Sequence, residues 1–473
     1  MANDTVADPR PEYTRQAPIW EMIRVIRGGT RLMREAREKF LPPNPAESTA
    51  AYEARLSLSV FTNFYVKTIA FMTSKLLHHP PVPTEDTTDE TKALLEDVDA
   101  CGNRLDVFAR ELVQASIDDG VAHILVDSPS INPESNELVT LADEQAQRPF
   151  ARIVRARDVL NWDSETSEGR ERLTRVHIRE FVEVEDPDLD FANKTVERIR
   201  VIEPNKVTVW QQDEADGQWA ILEEITTDFD EIPLVSFYTR KLDFMVGTPT
   251  LLDLAFLNVK HWQADSDQAF VSHIARVPIL NAVGFDSDGS SSGTPTFIIG
   301  PNNVIVGPPG SELKYVEING KNLEIGRAEV DDLEAKIRKL GSEVILGQKP
   351  GNVTATARAL DSAEASIDLA SIALDLEDAL NGMVAWLGFW TSQDEPGGVS
   401  VFKDFKALSR DGEDLNVLLK LFVAKALSLD TLLNEVQRRG LLAPDVNLAD
   451  EVAQIELDGE RDMQAIAASL GDE

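Results

Sequence analysis

The spacing of apolar and polar residues changes character several times along the chain. From Ile19 to Phe40 apolar residues recur at helical intervals, with Arg24, Arg27, Arg31, Arg34 and Arg37 between them and Gly28-Gly29 as an internal break. The prolines of LPPNPAES end that helix. Asn44-Pro45 or Ser48 is placed to cap a second one running from about Ala46 to Leu77, which HHPPVP closes. A further helix, Asn103 to Asp118, leads into VAHILVDSP, an apolar run of strand length ending in turn residues. Residues 1–18 are polar, carry Pro9, Pro11 and Pro18, and read as an arm that orders on a partner.

From about Ala151 to Tyr238 the period shortens to two. RVHIREFVEV, ERIRVIEP, KVTVWQQ and WAILEEI alternate between turn clusters, which predicts an antiparallel meander with one wet face. Helical spacing returns after Pro249, where Leu251, Leu254, Leu257, Val259 and Trp262 share a face. A strand-rich insert, Val277 to Gly320, carries DSDGSSSG as a mobile tip, and a helix from Leu323 to Ile345 follows, with Val330, Leu333, Ile337 and Leu340 on one side. LGQKPGNVTATARAL then interrupts the helical pattern with two glycines, a proline and a lone lysine. A long helix comes next, then a strand segment, VSVFKDF, and two or three helices between Asp414 and Leu470. The pattern as a whole predicts an α+β fold.

Composition narrows the class. At 473 residues, 42% hydrophobic and 7% aromatic, the chain can bury a sizeable core and is expected to fold. Its one cysteine, Cys101, forms no internal disulfide and reads as buried filler in a reducing compartment. No run of eighteen apolar residues and no basic-then-apolar leader is present, so neither a membrane span nor a secretory signal is expected. The formal charge of −36, from 46 basic and 82 acidic residues, opposes wrapping around nucleic acid by counterion release. Two readings remain: a protein with no nucleic-acid role, or one whose acidic surface lets a polyanion pass without sticking.

Enzyme signals are weak. GQKPGN lacks the order of a phosphate loop and follows a helix, so nucleotide hydrolysis is not expected. HILVD reads as a buried strand ending in a turn aspartate. DSDGSSSG starts like a calcium loop but offers no acid from Thr296 to Ile299. His78-His79 are adjacent in a turn and His123, His177, His261 and His273 are scattered, a poor pattern for a metal. Asp118-Asp119 read as solvating a helix end. No catalytic residues, no metal and no cofactor are expected.

Several stretches, taken in order, resemble tailed-bacteriophage portal proteins, the head-to-tail connectors, and a branch of them known only as a domain of unknown function. They are GGTRLMREAREKFLPPNPAESTAAYEARLSLSVFTNFYVKTIAFMTSKLLHHPP, IPLVSFYTRKLDFMVGTPTLLDLAFLNVKHWQADSDQ, EVILGQKPGNVTATARALDSAEASIDLASIALDLEDALN and LSLDTLLNEVQRRGLL. The resemblance implies a portal-type subunit with a mixed α/β wing, a helical stem, a small strand-rich clip and a helical crown. On this chain it implies an N-terminal arm and helix at 1–45, a wing at 46–248, stem helices at 249–275 and 322–345, and a clip at 276–321. A tunnel loop at 346–356, a long helix and return to the wing at 357–410, and crown helices at 411–473 complete it.

The resemblance also implies a ring, usually of twelve copies, at the capsid vertex of a virion, assembled in the host cytoplasm. Double-stranded DNA passes through its channel, and its partners are the terminase large subunit, a head-completion adaptor, and the major capsid protein or scaffold, with no membrane. The tunnel loop would present Gln348, Lys349, Pro350, Gly351 and Asn352 to the DNA. Asp361, Asp368 and Asp375, with Glu377, would line the channel and keep phosphates off the wall. Asp286, Asp288 and Ser291 would meet the partners at the clip. Without the resemblance GQKPGN reads as a surface turn. A ring-forming virion scaffold without a channel, or an enzyme with an unrecognised site, remain the alternatives.

Overall fold

The computed structural model describes residues 5–128, 148–167, 169–185, 192–213, 217–276, 279–284, 309–316, 320–346, 355–403, 405, 412–438, 442, 446–448 and 450–454. The helices are α1 (Pro11–Arg27), α2 (Gly29–Ala36), α3 (Thr49–Leu58), α4 (Phe64–Leu76), α5 (Asp89–Leu95), α6 (Leu105–Asp119), α7 (Leu252–Ala275), α8 (Gly320–Leu346), α9 (Ala355–Trp390), α10 (Gly412–Val423) and α11 (Leu429–Arg438). The strands are β1 (Val82–Pro83), β2 (Val121–Asp127), β3 (Phe150–Arg155), β4 (Val159–Ser167), β5 (Arg170–Glu185), β6 (Asn193–Glu203) and β7 (Lys206–Gln212). They continue with β8 (Trp219–Thr226), β9 (Leu234–Tyr238), β10 (Lys241–Asp243), β11 (Val246–Gly247), β12 (Ile279–Val283), β13 (Glu312–Val316) and β14 (Val399–Ser400). The fold is α+β. The chain divides into two units, one of Met1–Tyr13, Ala70–Thr250 and Ser342–Glu473, the other of Thr14–Ile69 and Leu251–Gly341.

The first unit is built on two larger antiparallel sheets, beside the two-stranded pairs β1–β14 and β10–β11. β4 to β8 pair in sequence order, which is the predicted meander, and burial alternates along β5 through Val176 and Ile178 as a period of two requires. β3 and β9, which the same alternation placed in that meander, instead flank β2 in a separate three-stranded sheet. β2 has its first six residues buried, so it reads as a continuous apolar run and not as an alternation. Leu125, Val154 and Leu234 from the three-stranded sheet share one core with Trp162, Val176, Ile178 and Ile202 from the meander. α6 and α9 pack against β2 and β9.

Residues 5–13 are not an arm waiting for a partner. Val6, Ala7 and Tyr13 cover Leu160, Ile199 and Val201 of the meander. The Arg10 amide donates to the Leu160 carbonyl at 2.9 Å and the Tyr13 hydroxyl to the Arg157 carbonyl at 3.0 Å, while the His177 imidazole is 2.9 Å from the Val6 carbonyl. The chain's own sheet supplies the surface that orders them. α1 accordingly begins at Pro11, a first-turn proline with no amide hydrogen to waste, well before the expected Ile19. Cys101 is exposed, contrary to expectation, because it sits in a turn whose amide bonds the Asp99 carboxylate at 2.9 Å.

Among its described residues the second unit is helical apart from the β12–β13 pair. The single helix expected from Ala46 to Leu77 is two, broken at residues 59–63. Asn258 of α7, fully buried, explains the break: its Oδ1 accepts the Tyr65 amide at 3.0 Å and its Nδ2 donates to the Thr62 carbonyl at 2.9 Å. These bonds satisfy main-chain groups that the interrupted helix leaves open. Arg34 donates twice to the Ser59 carbonyl, at 3.0 and 2.7 Å, and Asn63 caps α4 through the Val66 amide at 3.0 Å. α7 starts at Leu252, three residues beyond Pro249, and buries Leu254, Ala255, Val259 and Trp262. α8 buries Val330, Leu333 and Ile337 at helical spacing, as the sequence predicted.

Candidate functional site

The sequence places its functional residues around α7, α8 and α9. α8 ends at Leu346 and α9 begins at Ala355. The residues between them, including Gln348, Lys349, Pro350, Gly351 and Asn352, lie outside the described residues. So do Asp286, Asp288 and Ser291. The strands that bracket the latter are described: β12 and β13 pair antiparallel from Ile279 opposite Val316 to Val283 opposite Glu312, a two-stranded base for the intervening segment.

α9 has a clear inner and outer side over its described half. Leu369, Ile372, Ala373, Leu376, Leu380 and Met383 are buried, while Asp368, Asp375 and Asp378 are exposed between them. Asp361 lies on the same helix, its side chain outside the described residues. Asp375 opens onto a shallow depression with Ser236, Tyr238, Lys241 and Asp378. Partial burial there, helped by the neighbouring Asp378 and opposed by Lys241, pushes its carboxyl above the ordinary aspartate range. Glu377 does not join the outward acids: its carboxylate accepts from Lys403 Nζ at 2.6 Å and from the Val401 amide at 2.8 Å. Desolvation is outweighed by those two bonds, and its carboxyl is held below the usual range. It fastens α9 to the segment after β14.

Buried ionic groups that the sequence did not expose are found in both units. Asp118 and Asp119, read as helix-end solvation, are 1% exposed, and both carboxylates face Arg155 of β3, at 3.1 and 2.8 Å. Burial works against the Arg155 charge, but the two carboxylates outweigh it and raise its pKa above the ordinary arginine value. In the helical unit Arg55, 1% exposed, donates to both oxygens of Glu47 at 2.9 and 2.8 Å, to the Pro42 carbonyl at 2.9 Å and to Asp267 of α7 at 3.2 Å. His261 of α7 is buried with its Nε2 3.5 Å from Glu334 of α8. A charge as deep as that of Arg55 is tolerated only with its partners in place. No signal in the local pattern marks the contacts of Arg155 with Asp119 or of Arg55 with Asp267, which join residues distant in sequence.

One pair has the look of hydrolytic chemistry. Ser236 Oγ lies 2.9 Å from Nδ1 of His123, fully buried on the neighbouring strand. A general base must accept the serine proton near neutral pH. Burial lowers the His123 pKa to about 3, so the imidazole stays neutral and does not serve as that base. Ser236 also approaches the Met245 sulfur at 3.4 Å, which completes a packing role. Among the described residues no cluster of three or more His, Cys, Asp or Glu is placed to hold a metal, and no helix is long and apolar enough to cross a membrane.

Residues 250–391, the run from the start of α7 to the end of α9, match the family model described as a domain of unknown function, DUF4055. Among solved structures the chain is similar to a chain from the neck of an empty GTA particle computed with C6 symmetry. The two are 12% identical, with 82% of this chain and 92% of that one covered, at a TM-score of 0.41. It is also similar to a chain from the neck of a native GTA particle computed with C12 symmetry, 12% identical, with 84% and 95% covered, at a TM-score of 0.41. No curated protein matches the chain.

Proposed function

We propose that this chain is a portal-type connector subunit of a phage-like particle, forming a ring around a channel for double-stranded DNA. The observation that carries the reading is the run α7, β12–β13, α8, α9, in which two long helices bracket a two-stranded piece and a third helix exposes Asp368, Asp375 and Asp378. The order of these elements is the one the resemblance implies for stem, clip, stem and long helix, which supports the reading. In this reading residues 346–356 project into the channel. Gln348, Lys349 and Asn352 meet passing phosphates there, and Pro350 and Gly351 turn the backbone. Asp361, Asp368 and Asp375 repel the polyanion and centre it. Asp286, Asp288 and Ser291 contact the terminase motor during filling and the head-completion adaptor afterwards. The twelvefold ring, its seat in the capsid shell and a role without chemistry of its own belong to the same proposal.

Negative-stain microscopy of the purified protein, combined with native mass measurement, tests it. A perforated ring with a stalk is expected. A monomer of 52.3 kDa at micromolar concentration, at low and high salt alike, removes the proposal.

A further inference from the structure

The charge of this chain is distributed unevenly. Arg15 to Lys39 holds seven basic residues and three acidic ones in a chain where 82 acids face 46 bases. Arg24 donates to both oxygens of Glu21 at 2.7 and 2.9 Å, and Lys39 Nζ lies 3.7 Å from the same carboxylate, so two cations share one acid. Arg31 pairs with Glu35 at 3.0 Å, and Arg37 with Glu53. The cations stay open to solvent: the side chains of Arg24, Arg31 and Lys39 are 51%, 73% and 53% exposed. Arg34 is committed to the Ser59 carbonyl and fastens this ridge to the junction of α3 and α4.

We infer that this basic ridge, made by the last turns of α1, by α2 and by residues 37–39, docks the acidic surface of a second copy of the chain. Nucleic acid fits it less well. Glu21, Glu35 and Glu53 stand within ion-pair distance of the cations, and acids interleaved at that range weaken the field that a phosphate backbone needs. A protein carboxylate can instead take up the second cation at Glu21 without displacing the first. A second copy offers such carboxylates, because outside this segment its acids heavily outnumber its bases. Ridge and acidic surface are different patches of one chain, so the contact is heterologous, and heterologous contacts that close give rings. The inference rests on the ring reading above and adds what holds neighbours together.

The test uses the full chain carrying Arg24→Glu with Lys39→Glu, beside the wild type and the charge-preserving Arg24→Lys with Lys39→Arg. Assembly is followed by sedimentation at about 50 and about 500 mM salt, which span weak and strong screening. The reversed variant is expected to raise the apparent dissociation constant at low salt about tenfold or more, with the charge-preserving variant unchanged and wild-type assembly weakened by salt. Arg31→Glu repeats the test if the double variant loses its circular dichroism spectrum. Reversed variants that assemble like wild type overturn the inference and leave the ring reading standing; a wild type that is monomeric throughout overturns both. A short DNA duplex is added in parallel. If reversal abolishes duplex binding while assembly is unaffected, the ridge belongs to nucleic acid and the inference is wrong.

Discussion

His123 of β2 and Ser236 of β9 stand directly opposite one another across the central sheet, and the imidazole Nδ1 is 2.9 Å from the serine Oγ. With no exposed surface, the ring is held neutral down to about pH 3, where an unfolded histidine titrates near 6.5. The unfolded chain therefore binds a proton that the folded one refuses between those values. Stability is present in full above pH 6.5 and is lost as pH falls through that window, by roughly 1.4 kcal/mol per pH unit from this residue. Urea unfolding between pH 6.5 and 5, above most carboxylate titrations, is expected to show that slope. His123→Asn, polar but without a proton to gain, is expected to flatten it; an unchanged slope in the variant assigns the acid sensitivity elsewhere.

Arg155 lies within 4 Å of both buried carboxylates, those of Asp118 and Asp119. Arg155→Met leaves them buried without it, and breaking such a set from one side costs about 3–5 kcal/mol. Adding Asp118→Asn and Asp119→Asn removes the buried negative charges and is expected to recover much of the loss. Equal stability of the single and triple variants in chemical unfolding would mean that the carboxylates find protons or water without Arg155.

What was legible in the sequence follows the range of the interactions involved. The inner face of α8 at Val330, Leu333 and Ile337 and the β4–β8 meander are set by periods of 3.6 and 2, which local sequence carries. The sheet to which β3 and β9 belong was not legible, because alternation says which face is dry and not which strand lies alongside. The break at residues 59–63 depends on Asn258, far along the chain, and the seating of Val6 and Ala7 on Leu160 and Val201 is equally remote. Asp118-Asp119 looked like helix-end solvation for the same reason: the arginine that makes them internal is on another strand. Lys349 and its neighbours, the centre of the sequence reading, lie outside the described residues, so that part of the site rests on the resemblance.

Arg55 offers a test in the helical unit. Its two bonds hold the Glu47 carboxyl below the ordinary glutamate range despite burial. A depressed carboxylate contributes stability above its unfolded value, near 4.5, and loses it as pH falls through the folded value. Arg55→Met is expected to destabilise this unit by about 3–5 kcal/mol at neutral pH and by less at a pH well below the unfolded glutamate value, where the carboxyl no longer carries a charge to compensate. Thermal unfolding at both pH values checks it; a penalty that does not shrink in acid would point to lost packing against Tyr52, whose ring centroid lies 5.5 Å from the guanidinium carbon, and not to the ion pair.

Gly120 closes α6 in the left-handed region, at φ 86°, and its amide bonds the Ser116 carbonyl at 2.7 Å. A side chain there meets two obstacles. The left-handed conformation itself costs a non-glycine residue roughly 1–2 kcal/mol. A Cβ would also stand 2.2 Å from the Thr248 amide nitrogen, which is main chain and has no rotamer to retreat into. Gly247 faces the same limit from the other side, with its Cβ position 2.4 Å from the Gly120 carbonyl carbon. The two backbones pass at contact, and this crossing holds the residues that lead into α7, where the Thr250 amide donates to the Ile117 carbonyl at 3.2 Å. Gly120→Ala is therefore expected to destabilise by more than the left-handed strain alone, and hydrogen exchange is expected to speed at Thr239, Thr248 and Thr250 while β5 and β6 keep their protection. Uniform loss of protection across the unit would show global unfolding instead. Near-wild-type exchange at those threonines would mean that the crossing opens at little cost.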